Sequence, residues 1–426
     1  MASKATFLKS AVLFAALAAF CTACSTRFVD EPVCISHRGV AGEEGETCHA
    51  LDTSLSEFFA AGKIRSGDIV RLKQSAYGSL KIEGMRFDEQ VLLVSEPGHN
   101  AFFDRVEIER SSNLALRGLS ITSDGAVPPD TPIVLIDRGS ENIVLDGLLV
   151  QSASNVDQWT DKDWRASARN GIISLGTNVV IKNNTLRNVR HGISTIGGGS
   201  LVQDNHILNF SGDGMRGLGS NSSFLRNSIR NCFDVDENHD DGFQSWSLGE
   251  GGKPGEGVVR NVVLRGNLIL NYTDPDQPYK CSLQGIGLFD GIYEDWIIED
   301  NTVIVDHWHG ITVMGARNVR VSHNTVIDRN PLSAISPWVT ITRHKDGRAP
   351  VGGVVSENVM MRGIPVRKDN AGHVFDLHQP GVDVRDNLEL DPSEVELFIS
   401  LDGKVELPDF AQGKDIGARF LISVTN

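Results

Sequence analysis

The most polar stretch of the chain, Asn231–Gln244, holds five acidic residues and one histidine within fourteen positions. Asp240 and Asp241 lie near its end, and another aspartate before glycine, Asp213, precedes it. Two carboxyl groups held close together push each other's pKa values apart, so one can donate a proton while the other accepts one. The stretch therefore predicts an acid/base centre that uses Asp213, Asp240 and Asp241.

Asp213 and Asp241 belong to a recurring pattern of a polar residue, a glycine and an apolar residue. The copies are Asn170-Gly171-Ile172, His191-Gly192-Ile193, Asp213-Gly214-Met215, Asp241-Gly242-Phe243, Gln284-Gly285-Ile286 and His309-Gly310-Ile311. Equivalent positions on stacked coils lie about 4.8 Å apart, so the polar residues should form one file. A second file should run beside it through Ser194, Arg216 and Gln244.

Several side chains near this file are suited to proton transfer. His239, His191 and Lys280 are candidate bases, and Arg216 is a candidate for neutralising an acidic group. Each also has a structural interpretation, because polar residues before glycine are common at turns and His191 or His309 can simply hydrogen-bond there. The clustering of the acids and Arg216 beside the longest insertions favours a functional site.

Alternating oxygen-bearing side chains occur in the same stretch, at Asp234, Asp236, Asn238 and Asp240. This spacing is similar to that of a calcium-binding loop. His239 replaces the usual turn glycine and no flanking helices are expected, so the loop is not an EF-hand. A Ca²⁺ site and a solvated acidic loop are both consistent with the sequence, and no organic cofactor is predicted.

A second periodicity indicates which fold positions these residues. Alternating apolar residues followed by Asn or Gly recur with anchors at Gly118, Gly147, Asn184, Asn205, Asn227, Asn267, Asn301, Asn324, Asn358 and Asn387. The shortest intervals are 21 to 23 residues. Such a period, with an asparagine at a fixed turn, is typical of a parallel β-helix whose stacked coils bury one core. We therefore predict an all-β chain of about ten coils.

The regions on either side of the coils have other predicted roles. Asp52–Gly62 predicts a short helix with a capping box, which would cover the first coil. We assign residues 25–49 to a linker, 50–391 to the β-helix and 392–426 to a cap at the other end, because exposed sheet edges need cover. Long insertions after Asn231, Trp246 and Asn271 would wall a groove at mid-helix.

Residues 1–24 have the pattern of a secretory signal. Lys4 and Lys9 precede an apolar run that is too short to span a membrane. The segment Cys21–Cys24 resembles the end of a bacterial lipoprotein signal, in which Cys24 would be acylated, and cleavage after Ala23 without lipid is the alternative. We expect a location in the bacterial cell envelope, as an outer-membrane lipoprotein or in the periplasm, or secretion, with membrane contact only through this anchor.

The net charge limits which partners are expected, and the cysteine content indicates the cell compartment. The formal net charge of −15 disfavours a nucleic-acid partner. Four cysteines besides Cys24 follow the signal, and an even number suits an oxidising compartment. We favour the pairs Cys34–Cys48 and Cys232–Cys281, because each would join neighbouring segments, and buried free thiols are the alternative. We expect a monomer.

Three features together resemble the pectate-lyase-like right-handed parallel β-helix superfamily over about residues 50 to 420: the asparagine coils, the helix followed by Gly67-Asp68-Ile69-Val70-Arg71-Leu72, and the ending Gly413-Lys414-Asp415-Ile416-Gly417-Ala418. The resemblance implies a right-handed coil and a polysaccharide or oligosaccharide partner. The superfamily includes polysaccharide lyases, C5-epimerases, polygalacturonase-like hydrolases and phage tailspikes, so the fold alone does not choose an activity. The chain lacks the Gly-His-Gly and Arg-Ile-Lys motifs of the hydrolases and the Asp-Pro-His-Asp motif of alginate epimerases.

The leading hypothesis is a polysaccharide lyase that acts by β-elimination on a uronate-containing glycan. Arg216, alone or with Ca²⁺, would neutralise the uronate, His239 or Lys280 would be the base, and Asp213 and Asp241 would bind the cation or orient these groups. Predicted sugar contacts are His191, Gln244, Trp246, Gln284, Trp308 and His309. The alternatives are a glycoside hydrolase that uses Asp213 with Asp240 or Asp241, and a non-catalytic glycan-binding or adhesion β-helix.

Overall fold

The computed structural model describes residues 33–36, 46–49, 53–73, 76–128, 130–330, 336–361, 366–368, 374–376, 379–392, 398–401, 403–408 and 413–419, with residues 395 and 410. The predicted signal and Cys24 lie outside these residues, so lipid attachment stays a prediction. Among the described residues, no helix has the length and apolar character needed to cross a membrane.

Short strands dominate the chain and stack into three long sheets, because each coil contributes one strand to each sheet. The first sheet has fourteen strands. In stacking order they are Glu46–His49, Val33–Ser36, Ile69–Leu72, Arg86–Ser95, Ser112–Arg117, Glu141–Asp146, Val180–Lys182, Leu201–Gln203, Ser223–Leu225, Val263–Arg265, Ile297–Glu299, Arg320–Ser322, Gly353–Ser356 and Val382–Arg385. Pairing is parallel from Ile69–Leu72 onward.

The other two long sheets repeat this stacking. The second comprises Phe102–Phe103, Ser120–Thr122, Leu149–Gln151, Thr185–Val189, His206–Phe210, Ser228–Cys232, Leu268–Leu270, Thr302–Val305, Thr325–Asp328, Val359–Met361 and Leu388–Leu390. The third, which carries the site, comprises Ser79–Glu83, Arg105–Glu109, Val134–Ile136, Ile172–Ser174, Ile193–Thr195, Met215–Gly217, Asp241–Trp246, Gln284–Asp290, His309–Met314 and Trp338–Thr342. The predicted all-β parallel β-helix is confirmed.

Small sheets lie outside the three long ones. Val258–Arg260, Ile292–Glu294 and Ala316–Arg317 form a parallel sheet of three strands, while Val366–Lys368 pairs antiparallel with Val374–Asp376 and Phe398–Ile399 with Val405–Glu406. None of these strands carries a residue of the predicted file.

Inward-facing side chains form continuous columns from coil to coil. On the third sheet the column runs through Ile172, Ile193, Met215, Phe243, Ile286 and Ile311, each at most 1% exposed. Burying such a side chain stabilises the fold by roughly 1.5–3 kcal/mol. The column therefore fixes the register of the strands that carry the site.

A ladder of asparagines joins the first and second sheets from Asn184 to Asn387. The backbone amide and Nδ2 of each asparagine donate to Oδ1 of the next at 2.9–3.0 Å. The prediction that Gly118 and Gly147 belong to the same column is wrong. Gly147 aligns with Asn183, which has a positive φ. The residue at the ladder position of this coil is Leu148, whose amide donates to Oδ1 of Asn184. Glycine and asparagine both tolerate positive φ, so these adjacent turn positions look alike in sequence.

The N-terminal region matches the predicted helix and departs from the predicted linker. Leu55–Ala60 is helical, with a capping box between Ser54 and Glu57. Within the segment assigned to a linker, Val33–Ser36 and Glu46–His49 are instead antiparallel strands that extend the first sheet. A disulfide joins Cys34 to Cys48 across this pair, which is the favoured pairing.

Two further helical segments lie in insertions. Asp161–Ser167 is an α-helix with a capping box between Thr160 and Asp163, and its buried Trp164 stacks on Phe233, 4.6 Å between ring centroids. Glu250–Gly252 is a 3₁₀ turn. The helix thus packs against the first residues of the acidic loop.

The described part of the predicted C-terminal cap lies along the side of the second sheet. Outward-facing Leu268, Leu270 and Ile304 pack against the apolar residues Ile399, Val405 and Leu407. Further along, Arg419 donates through Nε and Nη2 to the buried Asp300 carboxylate, each at 2.7 Å. The outer face of these coils is apolar, so covering it is favourable.

Candidate active site

The register of the third sheet aligns the polar residues that precede glycine. Asp241 pairs with Gln284 on the next coil, and the Gly214 amide donates to the Asp241 carbonyl at 2.8 Å. The same pairing extends the file on both sides. The structure thus places the predicted file in the order His191, Asp213, Asp241, Gln284 and His309.

Glycine follows each polar residue because neighbouring coils approach closely there. A Cβ atom on Gly192 would lie 2.4 Å from the Gly214 carbonyl oxygen, and one on Gly285 would lie 2.2 Å from that of Gly310. Both distances are well inside van der Waals contact. The glycine column therefore serves backbone packing, and the residue before it can differ from coil to coil.

Asp213 is buried, at 1% exposure, and its carboxylate is held by charged and backbone groups. Nε of Arg216 donates to Oδ2, and the Asp241 amide donates to Oδ1 at 3.1 Å. Burial raises the pKa of Asp213, and Arg216 opposes that rise. An ionised carboxylate in this position holds the arginine in place.

His191 packs beneath this pair as a hydrogen-bonding group. Its Nδ1 accepts the Asp213 amide at 2.8 Å, and it is 7% exposed. Burial, together with the nearby Arg216, lowers the pKa of His191 to about 2. A group with so low a pKa is a poor proton acceptor, so the structure disfavours His191 as the base.

Arg216 is the exposed member of this group. Its side chain is 22% exposed. Nη2 lies 3.1 Å from Nε2 of His191, and Cζ lies 5.5 Å from the centre of the Trp246 ring. A guanidinium fixed by a carboxylate and an aromatic face still has N–H groups for an anion.

Asp241, on the next coil, is fully buried. Oδ2 accepts from Nε2 of Gln244 at 3.0 Å, while Oδ1 has no hydrogen-bond partner. A Cβ atom on Gly287 would lie 2.5 Å from that Oδ1. Glycine is therefore required at this outward position. Burial raises the pKa of Asp241 to about 7, against the lowering effect of His239.

His239 lies above Asp241 and is 74% exposed. Its Nδ1 is 3.9 Å from Oδ2 of Asp241, which is an ion-pair contact and too long for a hydrogen bond. The Asp241 carboxylate raises the pKa of His239. With Nδ1 turned to Asp241, Nε2 is the nitrogen left to take a proton from a substrate.

Asp240 points away from its two neighbours and does not join the acid file. Its Oδ2 lies 3.0 Å from Sγ of Cys281 and 3.5 Å from Sγ of Cys232, which are joined by the favoured disulfide. The Asp240 carboxyl group therefore lies apart from His239 and Asp241, which face each other. The predicted use of Asp240 in the acid/base centre is not supported by this geometry.

The predicted calcium ligands do not converge. Asp236 pairs with Arg190 at 3.4 Å, and Asn238 turns its Nδ2 rather than its oxygen to Asp240. Among the described residues, the one cluster of three metal-ligand side chains comprises Asp240 and the two cysteines of the disulfide. Calcium needs about six to eight oxygens, and this arrangement does not provide them.

Lys280 and the predicted aromatic contacts lie around the file. The Lys280 ammonium donates to the Pro275 carbonyl and sits 5.2 Å from the Tyr272 ring centre, so its partners are in its own loop. Trp246 is half-buried beside Arg216. Trp308 stacks parallel to Trp338 with 5.9 Å between ring centroids.

A second asparagine ladder, which the sequence analysis missed, supports the start of the site loops. Nδ2 of Asn209 donates to Oδ1 of Asn188 at 3.0 Å, and Nδ2 of Asn231 donates to Oδ1 of Asn209 at 3.2 Å. All three have positive φ. The available signal is an asparagine four positions after a main-ladder asparagine, repeated on four coils, of which the last, with Asn271, does not join this ladder. This ladder fixes the backbone just before His191, Asp213 and the acidic loop.

The arrangement contains two polar groups that reach the surface, Arg216 in part and His239 for most of its side chain, each backed by a buried carboxylate. Asp213 holds Arg216, and Asp241 faces His239. The two carboxylates are on adjacent coils, joined by the hydrogen bond from the Asp241 amide to Asp213. Such a surface can bind an anionic group through the arginine and exchange a proton through the histidine.

Residues 170–336 match a family model described as a right-handed β-helix region. This match covers the coils that carry the site. Together with the three stacked sheets it confirms the predicted right-handed parallel β-helix. No curated protein sequence matches the chain.

Solved structures with similar architecture share little sequence. The Dettilon tailspike protein is 17% identical, covering 67% of this chain and 55% of that one, with a TM-score of 0.45. The PL6 family alginate lyase AlyGC is 11% identical, covering 85% and 55%, with a TM-score of 0.38. A rhamnogalacturonan lyase is 13% identical, covering 84% and 93%, with a TM-score of 0.42. The match thus spans only about half of the tailspike and of the alginate lyase, and these similarities do not bear on the chemistry of the site.

Proposed function

We propose that the chain is a polysaccharide-active enzyme that cleaves a uronate-containing glycan by β-elimination. The observation that carries this proposal is the pair of exposed groups, Arg216 and His239, each held from beneath by a buried carboxylate. β-Elimination needs one group that neutralises the uronate carboxylate and one that removes the neighbouring proton. The two exposed side chains supply these two functions.

In the proposed reaction, Arg216 donates to the C6 carboxylate of the sugar and stabilises the negative charge that develops there. Neutral His239 takes the C5 proton at Nε2. The electron pair of the C5–H bond forms the C4–C5 double bond, the C4–O bond breaks, and the departing oxygen receives a proton from the imidazolium or from water. Asp213 and Asp241 remain beneath, where they hold Arg216 and stabilise the protonated His239.

A glycoside hydrolase is the second candidate, because the pKa of Asp241 is raised to about 7. A carboxyl group with such a pKa is suited to donate a proton to a leaving oxygen. However, Asp213 and Asp241 are 1% and 0% exposed, and a hydrolase needs both carboxyl groups in contact with the sugar or its water. The burial of both acids favours the lyase.

The deciding experiment incubates the mature protein with a panel of polyuronates and follows the ultraviolet absorbance of the unsaturated product together with reducing ends. A lyase raises both signals, and a hydrolase raises reducing ends alone. A glycan-binding protein without activity raises neither. Parallel reactions with EDTA test whether the activity depends on the calcium ion that the sequence predicted. Reducing ends without an unsaturated product would refute the β-elimination proposal.

We also propose that this activity belongs to the bacterial cell envelope or the secreted fraction. The signal-like residues 1–24 motivate this location, and the two disulfides suit an oxidising compartment. Fractionation of cells with and without Cys24→Ala tests the lipid anchor. Release of the variant protein from the membrane fraction is the expected result.

A further inference from the structure

Asp240, in the acidic loop, has no role in the proposed reaction, although its side chain is buried against the disulfide. Its side chain is 5% exposed. Oδ2 lies against both sulfur atoms of the Cys232–Cys281 disulfide, at 3.5 and 3.0 Å, and Oδ1 accepts from Nδ2 of Asn238 at 3.0 Å. A carboxyl group costs free energy when buried, so its contacts here need an explanation.

The disulfide beneath Asp240 joins the two loops that lead into the site strands. Cys232 ends the strand before the acidic loop, and Cys281 lies just before the strand that begins at Gln284. Nε2 of Gln277 donates to the Cys232 carbonyl at 2.6 Å. The Gln284 amide donates to the Asp240 carbonyl at 2.9 Å. Asp240 therefore sits at the junction of both loops.

The contacts of Asp240 and its neighbours link this junction to the site. The Asp240 carboxyl group lies against the disulfide, whereas His239 and Asp241 face each other, 3.9 Å from Nδ1 to Oδ2. Asp240 lies between them in sequence, so fixing its side chain on the disulfide also restrains the backbone that carries both neighbours.

The shape of the Asp240 carboxyl group allows a matched substitution. An asparagine side chain has the same shape and can lie against the disulfide, whereas alanine leaves that space empty.

We propose that Asp240 is a positioning residue, which acts through the Cys232–Cys281 disulfide to hold His239 in contact with Asp241. This inference rests on the proposed function for its activity readout. It makes Asp240 distinct from the groups that meet substrate, because its side chain is buried behind them. It also makes the disulfide a part of the site's support.

The test compares Asp240→Ala with Asp240→Asn. A misplacement of about 1 Å costs on the order of 100-fold in rate, so Asp240→Ala is expected to lower kcat by about that factor with KM little changed. Asp240→Asn should recover at least about ten-fold of this loss. Equal activity of wild type and Asp240→Ala would overturn the proposal, as would equal losses in the two variants.

The disulfide is tested with a matched control. The Cys232→Ala/Cys281→Ala double variant should lose kcat in the same manner as Asp240→Ala. The Cys34→Ala/Cys48→Ala double variant removes the other disulfide, which lies in the N-terminal strand pair, and should keep wild-type kcat. Wild-type kcat in the first double variant would contradict the proposal.

Hydrogen exchange gives a readout that does not depend on activity. The Asp241 amide donates to Asp213 and the Gln284 amide to Asp240. The exchange rates of peptides covering residues 238–246 and 282–290 therefore report whether the acidic loop keeps its position. Faster exchange in Asp240→Ala, with protection regained in Asp240→Asn, supports positioning even if no polyuronate is cleaved. Unchanged exchange in Asp240→Ala would refute positioning even if the lyase activity is found.

Discussion

Replacing Arg216 by lysine should separate the catalytic role of this residue from its structural one. The guanidinium donates through Nε to Asp213, meets His191 through Nη2 and lies over the Trp246 ring. A lysine ammonium keeps a positive charge near the buried Asp213. As a point charge, it cannot make these contacts and also present parallel N–H groups to a substrate carboxylate.

The structure sets the expected size of each effect. Removing one donor from a developing negative charge costs about 100- to 1,000-fold in kcat, or ~2.7–4 kcal/mol. The stability loss should stay near ~1.5 kcal/mol, the lower end for a charged hydrogen bond, because Arg216 is partly exposed. Arg216→Ala is a poorer test, since an unpaired buried Asp213 costs about 3–5 kcal/mol in stability.

The assay measures kcat and KM from the ultraviolet absorbance of the unsaturated product, with Tm measured on the same samples. The control is Arg117→Lys, because Arg117 also donates through Nε to an aspartate on a neighbouring coil, Asp146 at 3.2 Å, but on the first sheet. The control should keep wild-type kcat. If Arg216→Lys also keeps wild-type kcat/KM, Arg216 does not neutralise the substrate and the proposed reaction fails.

Three other predictions follow from the same geometry. Because His239 must be neutral to accept a proton, activity should fall as pH drops through its raised pKa. In Asp241→Asn, the decrease in kcat on the acidic side of the pH profile should move to lower pH, toward about 6.5. Asn227→Ala should lower the free energy of unfolding by about 2–6 kcal/mol, since the buried Asn205 amide and one Nδ2 hydrogen of Asn205 lose their acceptor. Asn261→Ala, in an exposed asparagine pair, should change it by less than about 1 kcal/mol in denaturant titrations. Trp246→Ala should raise KM for polyuronate with a smaller effect on kcat, and an unchanged KM would remove Trp246 from the binding surface.

The repeating part of the molecule was predictable because it obeys a period. The ladder asparagines and the polar residues before glycine recur at fixed positions of each coil, so stacking alone brings Asp213 beside Asp241. The one error within the coils, at Gly118 and Gly147, is a shift of one residue. It arose because two neighbouring turn positions accept the same residue types.

The inserted loops were not predictable in the same way, because their sequence does not indicate the direction of each side chain. Asp240 was grouped with Asp241 on sequence proximity, but its carboxyl group faces the disulfide. The alternating oxygens from Asp234 to Asp240 looked like a metal loop, but Asp236 pairs with Arg190 instead. Lys280 likewise bonds within its own loop. Each of these outcomes depends on contacts made by inserted segments, which have no common period.

The coils and the inserted loops contribute different parts of the site. The coils place Asp213 and Asp241 where water is excluded, and in such surroundings a charge acts more strongly on a nearby partner than it does in water. The groups that would meet substrate, Arg216 and His239, come from the exposed side of a strand and from an insertion. The glycine column and the asparagine ladder support the backbone beside the bonds that His191 and Asp213 accept from the next coil. The polar residue before each glycine can therefore differ from coil to coil without loss of the stack. A β-helix of this type can therefore acquire a different reaction by substitution along the file and in the loops, while the coils that stabilise it stay as they are.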